Sequence, residues 1–117
     1  MIWQGMDKRH FPRANYPCKV VVLRTDLKET FSTHTENIGT GGICVMLPKE
    51  LPKLCAVEIL LYLKDGGSPL ECNGRIVWMI KSDGTFDAGI EFIDINDVDR
   101  WRVEALVKEH MESNGWK

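Results

Sequence analysis

The sequence predicts a mainly β domain, a small closed barrel or a sandwich, followed by one helix. Three observations predict it. Six short apolar or alternating segments follow one another at regular spacing, turn residues separate them, and a helical periodicity replaces the alternation near the C-terminus. The length of 117 residues corresponds to one domain that buries about two-thirds of its unfolded surface.

The strands are predicted from composition and alternation. The first is β-branched and opens after Pro17, and the second is rich in Thr, as expected for a strand with one solvated face. The third is short, apolar and ended by Pro48. In chain order the predicted strands are residues 16–25, 29–37, 43–47, 55–63, 70–80 and 85–93.

Glycines and Asp-Gly pairs mark the connections between these strands. Asp65-Gly66-Gly67 and Ser82-Asp83-Gly84 predict hairpin turns. Gly74 predicts a bulge within the fifth strand. The second and third strands are predicted to be joined by a tight or bulged turn containing Gly39, Gly41 and Gly42.

A helix is predicted over about residues 97–112. Asn96 is the expected cap, and the acids of the first turn suit the helix dipole. Trp101 lies opposite the apolar stripe; we expect it to pack on a second contact, and the alternative is exposure for a partner. The stripe expected to be buried comprises Val103, Leu106, Val107, His110 and Met111.

The chain thus divides into an N-terminal arm over residues 1–15, a β region over 16–95 and a helix over 96–113. The arm has no periodicity but contains a cationic cluster: Lys8, Arg9, His10 and Arg13. The cluster is either a solvated charged tail or part of a binding site.

Charge and hydropathy exclude several classes of protein. Fifteen basic and seventeen acidic residues give a net charge of −2, which argues against a duplex-DNA binder. Residues 1–30 carry a net +3 and residues 83–117 a net −5, so a local positive site suits a small anionic ligand. The longest apolar runs of about five residues are too short for membrane insertion. No signal peptide is evident, and a cytoplasmic protein is predicted.

Neither a metal site nor a catalytic site is predicted. Cys18, Cys44, Cys55 and Cys72 form no CxxC pair, and we expect four buried, reduced thiols in strands. The three histidines are scattered, and Ser32, Thr33 and His34 are neighbours whose side chains alternate between faces of a strand. An enzyme, a cofactor and a metal are therefore not expected.

Two short motifs carry the binding chemistry. Arg9 and Arg13 stand four residues apart, and each guanidinium can hold a phosphate bidentately or pair with the O6 and N7 edge of guanine. In the segment Asn37-Ile38-Gly39-Thr40-Gly41-Gly42, the Asn37 amide can read a base edge and the glycines allow close approach. Taken alone, the segment favours a simple turn between strands over a binding site.

In this order and within this β pattern, the two motifs resemble those of the PilZ domain family. Arg9-His10-Phe11-Pro12-Arg13 matches its RxxxR motif, and residues 37–42 match its second motif, with Gly39 where the family usually has Ser. The resemblance covers about residues 9–112. It implies a six-stranded antiparallel barrel with a C-terminal helix, and binding of the second messenger cyclic di-GMP (c-di-GMP).

The resemblance also implies which residues bind. Carried over by position, they are Arg9, Arg13, Asn37, Gly39 and Gly42. Further candidates are the flanking Lys8, His10, Thr40 and Gly41, and Trp78, which we expect on the neighbouring strand as an aromatic face or as a core residue.

The expected function is that of a bacterial c-di-GMP receptor that orders its arm on binding and signals to a downstream protein. The alternative is an interaction adaptor that has lost the nucleotide, since Gly39 lacks the serine hydroxyl. A barrel that binds single-stranded RNA is disfavoured by the neutral body of the protein.

Overall fold

The computed structural model describes the backbone of residues 13–113 and the side chains of residues 14–110. In this part of the chain, seven strands precede one helix. Their bounds are β1 Arg13–Ala14, β2 Lys19–Arg24, β3 Glu29–Gly39, β4 Gly42–Leu47, β5 Ala56–Leu61, β6 Leu70–Ser82, β7 Thr85–Phe92 and α1 Asp97–Ser113.

The six longer strands form a closed antiparallel barrel. They follow the order β3-β2-β5-β6-β7-β4, and β4 pairs with β3 to close the circle. The fold class is therefore confirmed, and the sandwich is excluded. The barrel is closed because the long β3 pairs with β2 through Glu29–His34 and with β4 through Thr35–Ile38.

Alternation along each strand fills the barrel with aliphatic side chains. The inward residues of the barrel strands are almost completely buried, whereas most of their immediate neighbours are half-buried or exposed. Burial of one such side chain contributes about 1.5–3 kcal/mol. The residues with the largest fully buried side chains are Ile38, Ile43, Leu47, Leu51, Ile59, Leu61, Leu70, Ile76, Ile90, Val20, Val22 and Val45.

Helix α1 begins with the predicted cap. The Asp99 backbone N–H donates to Asn96 Oδ1 at 2.8 Å, which satisfies one of the open N–H groups of the first turn. The helix lies against β1 and β3. Its buried stripe is confirmed for Val103, Leu106 and Val107, and His110 is half-buried. The side chain of Met111 lies outside the described residues.

The packing expected of Trp101 is wrong. Trp101 is 67% exposed, and Val98, one turn earlier, is 70% exposed. The buried stripe uses the opposite side of the helix, and no described element covers the side that carries Trp101.

The turns are confirmed in part. Asp83 and Gly84 have φ of 49° and 86°, as a two-residue hairpin turn of type I′ requires. Residues Asp65–Gly67 lie in a longer connection between β5 and β6, which are antiparallel neighbours.

Gly74, by contrast, is not a bulge. The register of β6 against β7 shifts between Ile76 and Trp78. A Cβ on Gly74 would lie 2.6 Å from Ile59 Cδ1 and 2.9 Å from the Glu91 carbonyl oxygen, so the position is restricted by close packing.

The expectation of four buried cysteines holds for Cys18 and Cys44 only. Cys55 and Cys72 are half-buried. Cys18 and Cys55 directly precede β2 and β5 rather than lying in them, so the expected position in a strand is wrong for both. Burial raises the pKa of the Cys72 thiol to about 12, with smaller contributions from Asp94 and Asp99.

The described residues form neither a metal-binding cluster nor a helix that could span a membrane. They include no group of three or more His, Cys, Asp or Glu side chains arranged to hold a metal ion. Among the helical residues described, none forms a segment long and apolar enough to cross a membrane.

Candidate functional site

The register of four strands places a row of side chains on the outside of the barrel. Asn37 of β3 pairs with Cys44 of β4, Cys44 with Gly89 of β7, and Gly89 with Trp78 of β6. The residues on either side of these pairs, such as Ile43 and Ile90, point into the core. We refer to Asn37, Cys44, Gly89 and Trp78 as the outer row.

Strand β1 brings the two sequence motifs together. Arg13 pairs with Gly39 and Ala14 pairs with Ile38, so the second arginine of RxxxR meets the third residue of the glycine motif. The prediction of an irregular arm over 1–15 missed this strand, because two residues leave no periodic signal. Lys8, Arg9 and His10, and the Arg13 side chain, lie outside the described residues.

A buried threonine fixes the chain directly after β1. Thr35 Oγ1 donates to the Tyr16 carbonyl oxygen at 2.5 Å and accepts from the Cys18 backbone N–H at 3.0 Å. The Thr35 backbone N–H also donates to the Cys18 carbonyl oxygen at 2.9 Å. These bonds hold residues 16–18 against β3, and they therefore determine where the N-terminal segment meets the barrel.

The glycine motif forms the β3–β4 hairpin. β3 ends at Gly39 and β4 begins at Gly42, which leaves Thr40 and Gly41 as the turn. The Gly41 carbonyl accepts a hydrogen bond from the Phe92 N–H at 2.9 Å and ties the turn to the end of β7. Among the described glycines, positive φ values occur at Gly66 and Gly84, so the backbone of Gly39 is compatible with a side chain.

Gly42 has a structural requirement of its own. A Cβ at this position would lie 2.1 Å from the Ile90 carbonyl oxygen and 2.9 Å from Glu91 Cα. Backbone atoms cannot yield as a flexible side chain can. The last glycine of the motif is therefore needed for the close approach of β4 to β7.

Trp78 lies farther from the glycine motif than expected. It belongs to β6, and β7 separates that strand from β4, so the expectation of a neighbouring strand is wrong. The bulge after Ile76 turns Trp78 outward, opposite Gly89, which has no side chain to cover the indole. Trp78 is half-buried, and its Nε1 has no hydrogen-bond acceptor among the described residues.

Two acidic side chains, those of Glu36 and Asp87, lie beside the outer row. A bulge between Thr35 and Asn37 places Glu36 on the outer face beside Asn37. Cys44 Sγ donates to Glu36 Oε1 at 3.3 Å. Burial and the neighbouring Asp87 carboxyl raise the pKa of Glu36, while the Cys44 hydrogen bond opposes the shift. Sequence reasoning missed both acids, because only the bulge and the register of β7 bring them to Asn37.

The family assignment follows from comparison with known proteins. The sequence model of the PilZ domain family matches residues 7–109 of the chain. The chain belongs to the PilZ domain family. No curated protein sequence matches it.

Solved structures of the PilZ family share the fold at low sequence identity. The Bacillus subtilis inhibitor of motility MotI/DgrA has a TM-score of 0.79 and 15% identity, over 90% of this chain and 52% of that one. The PilZ domain of Escherichia coli YcgR, solved with c-di-GMP, has a TM-score of 0.72 and 13% identity, over 92% and 94%. The MrkH–c-di-GMP complex of K. pneumonia has a TM-score of 0.75 and 16% identity, over 92% and 53%. This PilZ chain thus spans about half the length of MotI and MrkH.

Proposed function

We propose that this PilZ protein is a receptor for c-di-GMP without catalytic activity, and that the messenger binds between the N-terminal arm and the outer row. The pairing of Arg13 with Gly39 is the observation that carries the proposal. It places the RxxxR segment beside the glycine motif, so that one ligand can contact both. Relatives solved with c-di-GMP support the choice of ligand.

The residues have separate roles in this proposal. Arg9 and Arg13 hold phosphates and the O6 and N7 edge of guanine, and Asn37 hydrogen-bonds a base from β3. Gly39 and Gly42 allow close approach, and Thr40 and Gly41 form the turn beneath the ligand. Lys8 and His10 add charge or stacking, and Trp78 offers an aromatic face across the outer row.

Gly39 weakens this site without removing its main contacts. A missing neutral hydrogen bond costs about 0.5–1.5 kcal/mol, or roughly twofold to tenfold in affinity. A lost contact between an arginine and a charged group costs more, about 1.5–3 kcal/mol. Since both arginines are present, we favour a receptor over an adaptor that does not bind the nucleotide.

Binding orders the arm and changes the surface that a downstream protein recognises, in a bacterial cytoplasm. The ligand shifts the population of arm conformations towards the one it binds better. This part of the proposal rests on the position of β1, which contacts both the barrel and α1.

Calorimetric titration tests the ligand. We expect heat with c-di-GMP and at least tenfold weaker binding of cyclic di-AMP, because adenine lacks the O6 acceptor that an arginine fork requires (about 1–3 kcal/mol per bidentate pair). Arg13→Ala should weaken c-di-GMP binding about tenfold or more. Arg100→Ala, an exposed arginine on α1, is the matched control and should bind as the unmodified protein does. Equal affinity for both dinucleotides would contradict the proposed reading of the bases.

Gly39→Ser distinguishes the receptor from the adaptor. Because Gly39 has no positive φ, serine fits its backbone and should tighten c-di-GMP binding by a few fold through the restored hydroxyl. If the unmodified protein gives no heat and Gly39→Ser restores it, the adaptor hypothesis is correct and Gly39 is the cause.

A further inference from the structure

Beside the outer row lie two carboxyl groups that no described cation neutralises. Glu36 and Asp87 lie side by side, and Asp87 Oδ1 is buried without a hydrogen-bond donor. Glu91 is the outward residue of β7 that follows Gly89. Its carboxylate differs from the pair because it accepts a hydrogen bond from Arg75 Nε at 2.7 Å. The unneutralised pair therefore retains acceptor capacity, and burying such groups without a donor is unfavourable.

The pair is positioned to meet a base that reaches Asn37. The bulge sets Glu36 on the same face as Asn37, and Cys44 Sγ holds Glu36 through Oε1. The second carboxylate oxygen, Oε2, accepts no hydrogen bond from the described residues. The half-buried Trp78 indole lies opposite Gly89 and offers an aromatic surface to a base that extends along the row.

We propose that Glu36, held by Cys44 and lying beside Asp87, accepts a hydrogen bond from the exocyclic N2 amino group of guanine and so determines specificity for that group. The inference rests on the proposed function and deepens it. Guanine presents N1–H and N2–H₂ as adjacent donors on its Watson–Crick edge, and a carboxyl oxygen can accept from them, most strongly when the group is ionised. An arginine on O6 and N7 leaves this edge available, so both sets of contacts can act on one base.

A cyclic dinucleotide with hypoxanthine bases isolates this contact. Hypoxanthine keeps O6, N7 and N1–H and lacks only the N2 amino group, so the arginine contacts are unchanged. We expect the unmodified protein to bind c-di-GMP about tenfold more tightly than the hypoxanthine analogue, as a charge-assisted hydrogen bond implies.

Two variants complete the test. Glu36→Ala should bring the ratio of the two affinities close to one, chiefly by weakening c-di-GMP binding. Glu58→Ala is the matched control: it removes the same charge from an exposed position of β5, on another side of the barrel, and should leave the ratio unchanged.

Each outcome has a distinct meaning. If the unmodified protein binds both dinucleotides equally, N2 is not read and this inference is wrong, while the proposed function stands. If Glu36→Ala tightens both ligands alike, Glu36 merely repels an anionic ligand, and the inference is again wrong. Binding of neither dinucleotide overturns the proposed function and this inference with it.

Discussion

Two glycines of one motif act in different ways at the residue scale. Gly42 is required by the barrel, because its Cβ would meet the backbone of β7. Gly39 is the last residue of β3, and its φ imposes no such need. The motif therefore contains two kinds of position. Gly42 is required by the packing of the barrel, whereas the backbone φ of Gly39 is compatible with serine.

Gly42→Ala should destabilise the protein strongly. The added Cβ must displace backbone at 2.1 Å, and overpacking of this kind costs about 1–3 kcal/mol, with the upper end expected here. Urea unfolding of Gly42→Ala and Thr40→Ala measures the effect. Thr40→Ala adds no atom in the adjoining turn and should stay within about 0.5 kcal/mol. Equal stability of Gly42→Ala and the unmodified protein would show that β4 and β7 separate easily.

The sequence predicted the motif residues but not their neighbours. Asn37, Gly39 and Gly42 could be named because the spacing of the motif can be recognised in the sequence itself. Glu36 and Asp87 could not, since they come together through a bulge and through strand register, which long-range pairing determines. The site residues themselves remain predictions until binding is measured.

At the scale of elements, one arginine fastens α1 to the barrel. Arg102 Nε and Nη2 donate to the two carboxylate oxygens of Asp65, each at 2.9 Å. Nη2 also donates to the Ser68 carbonyl oxygen at 2.8 Å, and Nη1 to Asp99 at 3.1 Å. The guanidinium thus joins the β5–β6 connection to the first turns of the helix, and only an arginine has the planar fork to do so.

Asp65 should make stability depend on pH in the acid range. The hydrogen bonds from Arg102 lower the pKa of Asp65 from 3.8 to about 2. A lowered folded-state pKa gives stability that is complete above 3.8 and is lost as pH falls towards 2. Asp65→Asn should cost about 1–2 kcal/mol near neutral pH, after allowance for partial exposure, and progressively less in acid.

Urea unfolding at a series of pH values checks this expectation. Asp83→Asn is the control, because Asp83 is an exposed acid in a hairpin turn where Asn is equally suited to its φ of 49°. If the two variants show the same dependence on pH, the ion pair with Arg102 does not contribute to stability.

The elements were largely predictable because each has a local signal. Alternation and Asp-Gly turns located the six barrel strands, and Asn96 with its stripe located α1. Strand β1 and the bulges at Glu36 and Val77 have no local signal, because they arise only when the segment pairs with another strand. The exposure of Trp101 was missed for the same reason: only the assembled barrel shows which side of the helix is covered.

At the scale of the whole molecule, the proposed receptor combines a barrel with an N-terminal arm that becomes ordered when the ligand binds. Fixing one residue costs about 1–2 kcal/mol of backbone entropy. Each residue that is ordered without contacting the ligand lowers the net affinity by this amount, with no contact to offset it. We therefore expect ordering to be confined to the RxxxR segment, where Arg9 and Arg13 contact the ligand directly and β1 already anchors one end.

Hydrogen exchange measured by mass spectrometry tests this distribution. Saturating c-di-GMP should slow exchange in residues 8–13 and in the β3–β4 hairpin around Asn37, since these amides become covered or fixed. Residues 1–7 should exchange as before, and so should β5, which pairs with neither strand of the β3–β4 hairpin. Arg13→Ala at the same ligand concentration should lose the protection. Protection extending evenly over residues 1–13 would show that the arm is ordered as a unit, and an unchanged arm in a protein that binds c-di-GMP would show that the signal is read elsewhere.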